Sequence, residues 1–129
     1  MIDIEASILS GLKTVILAQY PTAKVIKPTQ ITPTSFPTIT FYEADYERDS
    51  VTMNYAEPIA KILFQIDIWT SSQLQLKDFR AVVDNHMFGT WHMKLIMSRE
   101  ITISTTVYRY TMQYQTRIKE SSGQMVGNY

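Results

Sequence analysis

The side chains best suited to chemistry are four carboxylates at period two, Glu43, Asp45, Glu47 and Asp49, and two histidines, His86 and His92. Carboxylates that share a strand face can bind a hard cation or act as an acid/base pair. Same-face neighbours on a strand stand about 7 Å apart, however, and Arg48 interrupts the run with no glycine-containing calcium loop beside it. The run reads as a solvated or subunit-facing edge. His86 and His92 fall outside any HExxH pattern and make a weak metal signal. A histidine interacting with the last turn of a helix accounts for His86. Ser71, Ser72, Ser121 and Ser122 lie in no G-x-S-x-G elbow, and Gly11, Gly89, Gly123 and Gly127 build no phosphate-cradling loop. With no cysteine there is no thiol nucleophile, disulfide or cysteine-based zinc site. The residues point to no catalytic set, no metal and no cofactor.

Tyr108, Tyr110 and Tyr114 form an aromatic stripe of the kind that stacks single-stranded bases or holds a small ligand. Arg109 and Arg117 fall on the opposite face, so aromatic and basic groups do not converge, and rings packed under a helix are the simpler reading. Exposed rings favour the ligand module, and burial beneath a helix removes it. A small enzyme using Glu43, Asp45 or His92 is a further alternative, which requires two of these side chains to meet in one pocket. Arg48, Arg80, Arg99, Arg109 and Arg117 are placed to meet the carboxylates of a neighbouring subunit.

The elements that position these residues follow from apolar periodicity. Ile4, Ile8, Leu12, Val15 and Ile16 share a helical face, with Asp3 as the N-cap and Pro21 as the stop. Ala23 to Ile26 suits a short strand, and the proline-rich stretch from Lys27 to Pro37 suits an extended loop. Thr38 to Asp45 alternates as a strand. Ala60, Ile62, Phe64, Ile66 and Ile68 then mark one face of the clearest strand in the chain. A capping box of Ser72 and Gln75 opens a helix carrying Leu76, Phe79, Val83 and Met87, which Gly89 ends. Trp91, Met93, Leu95 and Met97 alternate on one side, and Ile101 to Ile118 is one long β-prone run. The order predicts an α+β fold, an antiparallel or mixed sheet of about four strands with two helices packed on one face. The single domain spans residues 1–118, with 119–129 as a tail or arm.

A chain of 129 residues buries roughly two-thirds of its unfolded surface, enough for a core without staples. Twelve Lys and Arg against twelve Asp and Glu leave no bulk basic field to draw the monomer to nucleic acid or an anionic membrane. The acidic start and the lack of a long apolar run predict a soluble chain that begins in a cytoplasm. Two arguments point to oligomerisation. A domain of this size is roughly 36 Å across, whereas seventeen extended residues span about 55 Å, so the last run must bend, break or protrude. The Ile39, Phe41 parity also continues as Glu43, Asp45, Glu47 and Asp49, which turns the core face acidic if the strand stays regular. Protruding β-arms that finish their packing on a neighbour satisfy both. The segment from Tyr46 to Pro58, with Tyr46, Arg48, Met53 and Tyr55 among charges, has the composition of an interface rim.

The order as a whole resembles the siphophage tail terminator, or tail completion, family of minor tail and neck proteins. An amphipathic helix ends at Tyr20-Pro21, and the Pro-preceded strand Ser35-Phe36-Pro37-Thr38-Ile39-Thr40-Phe41 follows. The charged segment Tyr46-Glu47-Arg48-Asp49-Ser50 leads into Leu63-Phe64-Gln65-Ile66-Asp67-Ile68-Trp69-Thr70. A helix, Leu76 to Met87, then precedes Val107-Tyr108-Arg109-Tyr110-Thr111-Met112-Gln113-Tyr114. The resemblance covers about residues 1 to 118. It implies a non-enzymatic homo-oligomer, typically a hexameric ring, that caps the tail tube in the virion neck after assembly in the host cytoplasm. Its partners would be the tail tube protein, the head connector or stopper protein, and genomic DNA passing through the lumen without specific binding, with no membrane and no cofactor. A lumen without a basic field lets DNA slide, which suits the zero net charge. The resemblance puts subunit contacts on strand edges and on Asp45, Tyr46, Glu47, Arg48, Asp49, Met53, Tyr55 and Glu57. Head-closure and other neck-ring proteins share this size and class, and no motif separates them.

Overall fold

Ile4, Ile8, Leu12 and Ile16 are buried along one stripe of helix α1 (Ile4–Gln19), as their spacing requires. The structure is a computed structural model that describes residues 4–27, 36–48 and 59–119. Asp3, the expected N-cap, lies outside them. Strands β1 (Lys24–Ile26), β2 (Thr38–Arg48) and β3 (Ile59–Thr70) follow, then helix α2 (Gln73–Asp84), a π-helical turn (Asn85–Thr90), and strands β4 (Lys94–Thr102) and β5 (Tyr108–Lys119). The sheet order is β1-β2-β3-β5-β4. Only β1, against β2, runs parallel; the other pairs are antiparallel. This is the expected α+β sheet with two helices, and the fifth strand is the short Ala23 to Ile26 piece.

Residues paired directly across antiparallel strands share a face. Ile39, Phe41, Ile62, Phe64, Ile66, Ile68, Met112, Tyr114 and Ile118 are buried on the face that meets the helices. Phe41 and Phe64 stack with centroids 5.3 Å apart. Phe79 of α2 meets Tyr20 at 4.2 Å, which fixes the end of α1 over α2. Ser72 opens α2 as the capping box predicts, its hydroxyl accepting from the Gln75 N–H at 3.4 Å.

Three local features depart from simple periodicity. Gly89 does not stop α2. The helix widens into the π turn, and the chain leaves it at His92, whose left-handed backbone (φ 56°) follows an N–H bond to the Phe88 carbonyl. The long β-prone run breaks into a hairpin, with Ile101 ending up in β4 and a turn at residues 103–107 before β5. Pairing also slips by one residue between Leu95 and Met97. That bulge at Ile96 puts Leu95 opposite Tyr114 but Met97 opposite Gln113, so the expected Leu95, Met97 face does not exist.

Candidate subunit interface

The acidic run is divided by a second bulge. On β2, Glu43 pairs with Phe64, and Asp45 pairs with Leu63, so Ala44 is the extra residue. Beyond it, Tyr46 stands over Ile62 on the helix side and packs against the core, whereas Glu47 stands over Lys61 on the other face. The Glu47 carboxylate meets Lys61 Nζ there at 3.4 Å. The expectation of one acidic face continuing the Ile39, Phe41 side is therefore wrong. Period-two reading carries parity through a strand, and a one-residue bulge reverses it. Asp45, Tyr46, Glu47 and Arg48 belong to the distal half of β2. The other interface candidates, Asp49, Met53, Tyr55 and Glu57, lie outside the described residues, as does the 120–129 tail.

The tyrosine stripe is covered at Tyr114 and half-buried at Tyr108. Tyr114 is fully buried beneath α2, with its hydroxyl donating to Asp84 Oδ1 at 2.8 Å. Burial first, and then this bond to a carboxylate, push its phenol well above the ordinary value. Tyr110 is half-buried; its ring lies 5.3 Å from the Arg80 guanidinium, and its hydroxyl accepts from Arg80 Nη1 at 3.1 Å and bonds Ser98 Oγ. Burial beneath a helix thus takes Tyr114 out of any stacking or small-ligand face, while Tyr110 also lines an open cleft beside α2.

Arg109 and Arg117 do take the opposite face, over Trp69 and Lys61. Arg109 is engaged within the chain and is not held for a neighbour. Its Nε and Nη2 donate to Asp67 Oδ1 at 3.2 and 3.1 Å, and its guanidinium lies 4.9 Å from the Trp69 ring centroid. Thr111 Oγ1 adds a bond to the same oxygen at 2.7 Å, and Gln65 Nε2 reaches Oδ2 at 3.2 Å. Asp67 is only 4% exposed, so these donors replace the water that a carboxylate needs. Burial raises the Tyr42 phenol, and the nearby Asp67 charge raises it further. The alternation in the sequence showed Asp67 on the polar face but gave no sign that the face is a closed network.

His86 is no helix-end cation. It is buried, accepts from Trp91 Nε1 at 3.2 Å through Nε2, and hydrogen-bonds the Ile8 backbone. Burial holds its imidazole below the ordinary value, against the opposing effect of the Ile8 bond. Gly11 is required beside it, because a Cβ there would come within 2.9 Å of the imidazole Cε1. Glu43 and Asp45 lie on opposite faces, and His92 precedes β4 at the far side of the sheet, so the structure does not bring these three together. Among the described residues no group of three or more His, Asp or Glu could hold a metal, and no helix is long and apolar enough to cross a membrane.

A cleft of about 590 Å³ runs between α2, the π turn and edge strand β4. Lys77 and Arg80 line it beside Phe88 and Leu95, which are 52% and 39% exposed. The sequence reading missed this surface. The exposure of Phe88 depends on the π turn, which no periodicity announces.

The whole architecture has a solved counterpart. A chain of the virion of a native gene transfer agent (GTA) particle superposes with a TM-score of 0.67 at 14% identity, over 86% of this chain and 91% of that chain. The two share a fold. No protein-family model matches this sequence, and no curated protein does.

Proposed function

We propose that this chain is a structural virion protein, a tail terminator or tail completion subunit that forms a ring on the end of the tail tube and joins it to the head connector. The observation that carries the reading is the likeness to a chain of the gene transfer agent virion, which extends over nearly the full length of both chains. The tail-terminator resemblance in the order of elements supports the same reading. Such a subunit works by shape: a ring seated on the last tube layer covers the surface that the next tube subunit needs, and its other face receives the connector. The distal half of β2 and the segment after it, from Asp45 to Glu57, supply the contact between copies. Genomic DNA passes through the lumen without specific binding.

Tube growth tests this directly. With tail-tube protein from the same system set to polymerise in vitro, the expected result is that added chain decorates tube ends and halts elongation. Tubes that elongate at an unchanged rate with the chain present would contradict the terminator role; decoration of connector ends alone would identify a head-closure ring instead.

A further inference from the structure

The β4 side of the molecule combines features that fit one kind of partner. β4 is an edge strand, bonded to β5 alone among the described residues, and nearly every residue along it is exposed. Beside it the cleft presents the apolar surfaces of Phe88 and Leu95 under the cations Lys77 and Arg80. Asp84, the acid in the cleft's lining, is engaged within the chain, accepting from Tyr114. An apolar floor with a basic rim fits an acidic segment that carries aromatic or aliphatic side chains.

The sequence has such a segment, which begins on the distal half of β2. Asp45, Glu47, Asp49 and Glu57 are interspersed with Tyr46, Met53 and Tyr55. β2 is separated from β4 by β3 and β5, about 14 Å across three strand spacings, so these two strands do not meet within one molecule. They do stand at one level along the strands. One cross-sheet row reads Asp45, Leu63, Gln115, Lys94, and the next reads Glu43, Phe64, Tyr114, Leu95. β2 and β4 also run in opposite directions, the sense that suits an antiparallel approach when copies sit side by side. A contact between two different patches of one chain is head-to-tail and closes into a ring when its rotation permits.

We infer that the cleft between α2 and β4 is the receiving half of the subunit contact, and that its occupant is the acidic Asp45 to Glu57 segment of a second copy. This rests on the ring reading above. Phe88 and Leu95 would take the apolar side chains of the segment, while Lys77 and Arg80 would meet its carboxylates.

Reciprocal charge reversal tests the pairing. One variant carries Glu47→Lys with Asp49→Lys, the other Lys77→Glu with Arg80→Glu; Glu47, Lys77 and Arg80 are exposed. Each variant alone is expected to scatter light at the protomer mass with an unchanged far-UV spectrum, whereas an equimolar mixture regains the wild-type assembly mass. A wild-type assembly that survives in both variants, or two disrupted variants that do not rescue each other, would overturn this inference and leave the ring standing. A wild-type chain that stays monomeric in solution and on tube ends would overturn both.

Discussion

Glu43 and Asp45, separated by one residue on β2, point to opposite faces of the sheet, because Ala44 is a bulge between their partners Phe64 and Leu63. The bulge decides what the rest of the strand can do. It returns Tyr46 to the helix side and sends Glu47 to the outer face. Replacing Tyr46 with Ala should cost about 1.5 kcal/mol through lost apolar burial. Replacing Glu47 with Ala should change stability by less than about 0.5 kcal/mol, since it removes only an exposed pair with Lys61. Urea unfolding of the two variants checks this, and the reverse order of sensitivity would mean that the strand is regular.

The outer face depends on Asp67. Arg109→Ala leaves a carboxylate that is 4% exposed with Thr111 and Gln65 as its remaining side-chain donors. The expected cost is about 3 kcal/mol, at the low end for a broken buried pair because the Arg109 side chain is itself 27% exposed. The double variant Asp67→Asn with Arg109→Met should lose less than the sum of its single substitutions, since the charge and its partner leave together. Denaturant midpoints of all three decide it, and strict additivity would contradict the coupling.

His86 makes stability depend on pH with a definite sign. Its folded-state value is lowered by burial, so the unfolded chain takes up the proton first as pH falls. The contribution of the neutral imidazole is full above about 6.5, the ordinary histidine value, and declines as pH drops toward the folded-state value. His86→Gln keeps an acceptor for Trp91 and removes the titration. Thermal melts between pH 7.5 and 5, as a working range of roughly two units around the ordinary value, should show a steeper fall for the wild type than for the variant. Parallel curves would place the imidazole in water.

Tyr114 and Asp84 tie β5 to α2. Tyr114→Phe keeps the ring in the core and removes the hydroxyl that donates to Asp84 Oδ1, so it should cost about 1.5 kcal/mol, the order expected of a hydrogen bond to a charged group. A calorimetric melt measures it. No change on substitution would mean that Asp84 finds water in its place.

Much of this fold is legible in the sequence because it follows local periods. The Ile4 to Ile16 stripe, the Ser72 cap and the Ala60 to Ile68 alternation each specify their element and its buried face. The reading fails where one residue changes the count. The bulges at Ala44 and Ile96 reverse the parity of everything beyond them, and nothing in those two side chains announces an extra residue. The π turn is similar, since Gly89 marks a stop in a regular helix but lies inside a wider one. The candidate site combines both cases. The acidic segment is visible as composition, whereas the cleft at Phe88 and Leu95 exists only after α2, the π turn and β4 have been brought together.

Self-assembly of this chain into a virion ring is the proposal to test first. Light scattering of the purified protein across a concentration range, alone and with tail-tube ends, measures that most directly. A ring-forming chain gives one discrete multiple of the protomer mass, in solution or on the tube. A protomer mass at every concentration, with no binding to tube ends, would contradict it.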